Sequence, residues 1–283
     1  MAPPDRPTGL IGEISARPGL LFRVAIGLCR VIVAAFGLRF ELRGAENLPR
    51  DAQGRPSGGW MAVPVPHRRW IDPFLLLLLL PIEPRLAFFA DGRALFKNGA
   101  RRLLFRLVGG MVPVWPRGGA KVFGAHIEAA RAVLAAGAVF VIFPEAGPPS
   151  APDRTRTIEP GFGYLAMRTG VPLVPMVIAG TGELYRGRRL TLSVLPPTTA
   201  TELAGRPAGS ALPEPGSHGE RDDARRIADA FAARMAPSVA ERHVEIERAS
   251  QNDRKRWPWL THWLDWDADA ADAARAARRQ GSG

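Results

Sequence analysis

Cysteine is nearly missing from this chain: Cys29 is the only one in 283 residues. A single thiol excludes an intrachain disulfide and any zinc cluster built on several cysteines. It lies in an apolar stretch, where a small buried hydrophobe is expected rather than a nucleophile. Lysine is almost as scarce. With only Lys97, Lys121 and Lys255 present, the formal charge of +11 and the pI near 11.2 come almost wholly from arginine. Positive charge on this scale suits contact with phosphate, in nucleic acid or in anionic lipid headgroups, although an arginine-rich coding habit would give the same composition. No Gly-x-Ser-x-Gly elbow is present, so a covalent intermediate on a serine nucleophile is not expected. The N-terminus opens on prolines, and no small-residue cleavage site follows its apolar run. It therefore does not read as a cleaved secretion signal, and a cytoplasmic setting is expected.

What is present is ordinary for a folded protein, with 46% hydrophobic and 23% charged residues. The length allows one large domain, or a core with short appendages. Leu20–Leu38 is mostly apolar and just long enough to span a bilayer. Arg23 and Arg30, one heptad apart on one face, favour a helix lying in the interface with guanidinium groups at headgroup level. A plain core helix is the other reading.

Short β-prone runs follow at Phe40–Leu42, Trp60–Val65, Leu86–Phe89, Met111–Val114, Phe140–Phe143, Leu173–Ile178 and Leu190–Leu195. Ala94–Val108 and Ala120–Ala136 have amphipathic helical patterns, and Leu75–Leu80, closed by Pro81, reads as a buried helix turn. Strands alternating with helices predict an α/β fold: a central, mostly parallel sheet flanked by helices, with an N-terminal apolar helix and a C-terminal helical tail. The expected organisation is a tail and membrane-associating helix over residues 1–38 and an α/β domain over 39–204. A linker rich in Gly, Pro and Ser follows over 205–219, then a C-terminal helix and Trp-rich tail over 220–283. Trp259, Trp263 and Trp266 keep helical spacing beside Arg254 and Arg256, which suits a lipid–water boundary or a docked segment. No internal repeat is visible.

The sharpest local pattern is Pro66-His67-Arg68-Arg69-Trp70-Ile71-Asp72-Pro73. The strand before it delivers His67 at a C-terminal strand end, where site residues of α/β domains gather. Asp72 before Pro73 looks like a helix N-cap with proline at the first helical position. The same carboxylate could hold the imidazole by Nδ1–H and leave Nε2 free to take a proton. Two further strand ends carry Glu145, in Pro144-Glu145-Ala146-Gly147, and Arg117, in Val114-Trp115-Pro116-Arg117-Gly118-Gly119. A surface Arg–Glu pair would look alike in sequence.

Four motifs follow one another: His-x4-Asp, Gly-Gly-x-x-Pro-Val-x-x-Arg, Phe-Pro-Glu, and Val171-Pro-Leu-Val-Pro175. In this order, with the lead-in Gly44-Ala-Glu-Asn-Leu-Pro49, they resemble the glycerolipid acyltransferase family, which includes 1-acylglycerol-3-phosphate acyltransferases. The resemblance covers about residues 20–200. It implies transfer of a fatty acyl group from acyl-CoA or acyl carrier protein to a lysophospholipid hydroxyl in phospholipid biosynthesis. In that case His67 is the base and Asp72 its orienting partner. Arg117, Glu145 and Gly147 would lie on the acceptor, joined by Arg69 and Arg156. No cofactor or metal is implied beyond the acyl carrier, and the partners are membrane lipids. The implied location is the cytoplasmic face of the cell membrane, peripheral or monotopic.

The departures are specific. Pro66 and Arg69 stand where the family usually has asparagine and serine, and Phe-Pro-Glu-Ala-Gly-Pro replaces Phe-Pro-Glu-Gly-Thr-Arg. Arg154 or Arg156 is the available replacement for that arginine, or the acceptor differs. A different lipid acceptor and a non-catalytic lipid-binding protein are thus the alternatives. Arg101, Arg102, Arg106 and the Arg186–Arg189 cluster are candidates for headgroup or donor phosphate contacts, or plain solvated surface. Gly161-Phe-Gly163-Tyr-Leu-Ala166 hints at a dinucleotide site, but the polar Arg154–Glu159 before it does not supply the required strand. A nucleic-acid surface would interleave aromatic and basic residues, and the apolar strands here do not, so no nucleic-acid partner is expected.

Overall fold

The computed structural model describes residues 16–69, 71–91, 110–114, 119–146, 154–182, 184–207 and 209–250. Each apolar run singled out above forms a strand: β1 Arg39–Arg43, β2 Met61–Val65, β3 Leu86–Asp91, β4 Met111–Val114 and β5 Val139–Val141, then β8 Leu173–Ala179 and β9 Arg189–Val194. Two short strands lie between them, β6 Glu145–Ala146 and β7 Thr157–Ile158. The helices are α1 Leu20–Ala35, α2 Asp72–Leu79, α3 Gly119–Ala135, α4 Pro160–Thr169, α5 Ala200–Leu203 and α6 His218–Ser250.

Among the described residues seven strands form one sheet in the order β1-β9-β8-β2-β5-β3-β4. From β8 through β4 every pairing is parallel. β9 runs antiparallel to β8 and parallel to β1. This is the mostly parallel α/β sheet that the alternation of elements predicts. Every residue of β2 and β8 is buried. Strands covered on both faces need continuous apolar runs, which is why neither alternates.

The two-residue period of the strands sorts their side chains between two cores. Met61, Val63 and Val65 face a core shared with Val133, Phe162, Leu165, Phe231 and Met235 of α3, α4 and α6. Ala62 faces the other, with Phe88, Val141, Met176 and Leu192, closed by Leu75 and Leu76 of α2. The run Leu75–Leu80 thus belongs to a two-turn helix and its C-cap, with Leu75, Leu76 and Leu80 buried, rather than to a single turn.

Helix α6, about 50 Å long at 1.5 Å per residue, buries Ala224, Ile227, Ala228, Phe231 and Met235 at helical spacing. α4 meets it so closely that a Cβ on Gly163 would stand 2.2 Å from the Ala224 carbonyl oxygen. Gly163 thus serves helix packing, which accounts for the glycine pattern that hinted at a dinucleotide site. Arg168 of α4 donates twice to the buried Glu220 at the start of α6. Near the far end Arg43 forks onto both oxygens of Glu245, at 2.7 and 2.5 Å. The helical part of segment 220–283 therefore shares the core of the α/β domain. Its tryptophans, Trp259, Trp263 and Trp266, lie outside the described residues, as does the predicted helix Ala94–Val108.

Helix α1 packs against α2; Phe22 and Ile26 are its only buried side chains, with the Arg85 guanidinium over the Phe22 ring at 5.4 Å. Leu20, Leu21, Val24, Leu28, Val31 and Ile32 are 45–78% exposed. At 100° per residue these six fall within about 120° of the helix circumference, a continuous apolar stripe. The two arginines lie together beside it. Arg23 pairs with Glu83, and Arg30 donates to the carbonyls of Leu78, at 3.1 Å, and Leu80, at 3.5 Å. Carbonyls ending a helix lack intrahelical partners and sit at its negative pole. Both cations, though exposed, pair with α2 and the turn after it. No described helix is long and apolar enough to cross a membrane.

Candidate active site

The site lies where β2 and β5 end, at the C-terminal edge of the parallel strands. β2 closes at Val65, and the chain turns through Pro66–Ile71 into α2. The helix begins at Asp72 with Ile71 as its N-cap residue, so Asp72 is the first helical residue and makes no cap of its own. Its carboxylate bends back over the turn instead. Oδ2 accepts the backbone N–H groups of Arg68 and Arg69, both at 2.8 Å, and lies 3.0 Å from His67 Nδ1. A negative group in the first turn is favoured by the helix dipole. N–H donors to an ionised acceptor form hydrogen bonds about twice as strong as neutral ones.

Asp72 is 0% exposed, whereas the His67 side chain is 36% exposed. One ring nitrogen is held by a buried carboxylate while the ring itself reaches the surface. Nδ1 carries the proton in the tautomer this contact favours, which leaves Nε2 as the basic nitrogen. The ring also stacks on Phe143, centroids 4.0 Å apart and planes inclined by 27°. A hydrogen bond at one edge and an aromatic plane on one face restrict how the imidazole can turn.

Phe143 belongs to the segment that continues from β5 into Glu145. Glu145 pairs with Ile158 in the small antiparallel β6–β7 ladder. Its carboxylate crosses to the first turn, where Oε2 accepts the backbone N–H of His67, and Oε1 accepts that of Arg156 at 2.7 Å. Burial pushes the Glu145 carboxyl above the usual carboxylate range, partly offset by those two N–H groups and by the charges of Arg68 and His67. Arg68 extends to the Arg154 carbonyl, and Arg69 to the Gly182 carbonyl at 3.3 Å.

The structure thus brings His67, Asp72, Glu145, Arg69 and Arg156 to one edge of the sheet. Arg117 and Gly147 lie outside the described residues, as do Arg101, Arg102 and Arg106. Of the Arg186–Arg189 cluster, Arg188 is neither a headgroup contact nor solvated surface. It is 3% exposed and donates to the Gly180 carbonyl at 3.0 Å and to Glu247 at 3.1 Å. Burial leaves such a cation in place only when it is paired. In the sequence Phe143 stands as a strand end and as the first residue of Phe-Pro-Glu, and neither assigns its ring a partner. Its signal was its place directly before Pro144-Glu145, since a residue beside a site carboxylate at a strand end can reach the same site.

Residues 39–179 match the family model described as Acyltransferase. Over 71 residues the chain is 38% identical to a 1-acyl-sn-glycerol-3-phosphate acyltransferase of Cocos nucifera, a stretch covering 25% of this chain and 23% of that protein. The match therefore spans less than a quarter of that curated relative. The crystal structure of the 1-acyl-sn-glycerophosphate (LPA) acyltransferase PlsC from Thermotoga maritima aligns over 83% of this chain and 84% of that one, at 19% identity and a TM-score of 0.42. The ordered motifs and His67, Asp72 and Glu145 all lie inside the matched segment, so residues 39–179 are an acyltransferase-family segment.

Proposed function

We propose that this protein moves a fatty acyl group from a thioester, acyl-CoA or acyl carrier protein, to the hydroxyl of a lysophospholipid such as 1-acylglycerol-3-phosphate. The observation that carries this reading is the His67–Asp72 pair, a half-exposed imidazole held at Nδ1 by a fully buried carboxylate. A lipid hydroxyl is a poor nucleophile at neutral pH. His67 Nε2 takes its proton as the oxygen attacks the thioester carbonyl. The tetrahedral intermediate then collapses, the C–S bond breaks, and the imidazolium returns the proton to the departing thiolate. General base assistance of this kind contributes roughly 10²–10⁴ in rate. Asp72 holds the ring by Nδ1 with Nε2 turned to the substrate hydroxyl.

Both substrates present phosphate, and Arg69 and Arg156 stand next to the His67 turn through their main chains. Guanidinium groups there suit an anionic headgroup. Removing a chain of about sixteen carbons from a bilayer into water costs on the order of 12 kcal/mol, so the acceptor is met at the membrane. The exposed stripe of α1 supplies the contact, each side chain worth up to roughly 1.5–3 kcal/mol when fully buried. Peripheral or monotopic attachment to the cytoplasmic face follows from this reading.

Thiol release from acyl-CoA and from acyl carrier protein, each offered with a panel of lysophospholipids, tests the proposal. Acceptor-dependent release with an anionic lysophospholipid is expected. No release above background with any pair would contradict it and favour a lipid-binding protein without activity.

A further inference from the structure

His67 and Glu145 are 78 positions apart, yet one oxygen of the Glu145 carboxylate accepts the backbone N–H of His67 itself. The other accepts the backbone N–H of Arg156 at 2.7 Å. A second link runs alongside, from the Arg68 guanidinium to the Arg154 carbonyl, while the Glu145–Ile158 pairing of β6 and β7 holds the Glu145 segment to that of Arg156. The turn bearing the imidazole and the segment bearing Arg154 and Arg156 are therefore joined from both sides. A carboxylate whose two oxygens each accept from main chain is poorly placed to bind a glycerol or phosphate group as well.

We infer that Glu145 is a positioning residue that staples the main chain of His67 to that of Arg156, rather than a ligand of the acyl acceptor. The imidazole and the Arg156 side chain then keep one relative placement through the reaction. This rests on the acyltransferase reading for its kinetic consequence, but the staple itself does not. Burial acts against the charge of Glu145, and the two N–H groups counter it. The carboxylate is thus held by the protein's own backbone.

E145Q keeps the shape but turns an NH2 group toward one of the two N–H donors, and E145D is too short to reach both. Misplacement of a reacting group by about 1 Å can cost on the order of 100-fold. Expected for both variants is a fall in kcat of about 10- to 100-fold, with KM for donor and acceptor within about twofold of wild type. The His67 amide proton, followed by 15N-resolved NMR, should move upfield in E145Q as its charged acceptor is lost. A rise in acceptor KM at unchanged kcat would make Glu145 a substrate ligand and overturn the inference, as would an unmoved His67 amide resonance. If the wild type shows no thioester turnover, the acyltransferase reading fails, and the amide resonance still decides the staple.

Discussion

On one side of the sheet α4 and α6 meet over Gly163 and bury Phe162, Phe231 and Met235; on the other, α1 packs against α2, buries only Phe22 and Ile26 and leaves six large apolar side chains in the open. Both coverings are helical and both are apolar on one stripe. They differ in what the stripe meets. The α6 stripe is satisfied within the chain, so it contributes to stability. A contiguous apolar surface left exposed marks an interaction site instead. The His67 turn leads directly into α2, the helix that α1 contacts, so the candidate site lies beside the exposed stripe.

Substitutions on the two sides should therefore separate stability from membrane binding. The largest effect on folding is expected for Phe231→Ala, about 3–5 kcal/mol by chemical denaturation, with vesicle pelleting unchanged where the variant is folded. A loss below about 1 kcal/mol would mean that α6 is only draped on the domain. Replacing Leu28 and Val31 together by Asp should change stability by no more than about 0.5 kcal/mol per site. Pelleting with anionic vesicles should nevertheless fall at least about tenfold, since each charge placed in an apolar interface costs a few kcal/mol. Lost stability with pelleting retained would break the comparison, because the stripe would then be covered by protein.

The strands of the sheet were legible because each is an apolar, β-prone run between turn residues, and the observed bounds differ by at most two positions. Helix α2 was legible only in part, since a run of leucines has no periodicity to distinguish a turn from a helix. Helix α4 was missed. Its Pro160, Gly161 and Gly163 have the signature of a loop, and the reason for Gly163 is a contact with Ala224, which is remote in sequence. The pairings of Arg23 and Arg30 were likewise hidden, because helical spacing places a side chain on a face without naming its neighbour.

In the site, His67 and Asp72 could be paired from five-residue spacing and motif order, since a short turn leaves few geometries. The stacking of Phe143 and the hold of Glu145 on two backbone amides were not legible. Both depend on how two strand ends lie side by side, and a main-chain donor leaves no trace in residue type. The two-residue strands β6 and β7, which set that arrangement, are too short to carry a pattern.

The account depends most on Nε2 of His67 acting as the base. Wild type and His67→Ala, compared by thiol release with the acceptor that turns over fastest, test this directly. The predicted result is a loss of turnover of at least roughly 10²–10⁴, with melting temperature and vesicle pelleting as in the wild type. Turnover equal to that of the wild type would contradict it.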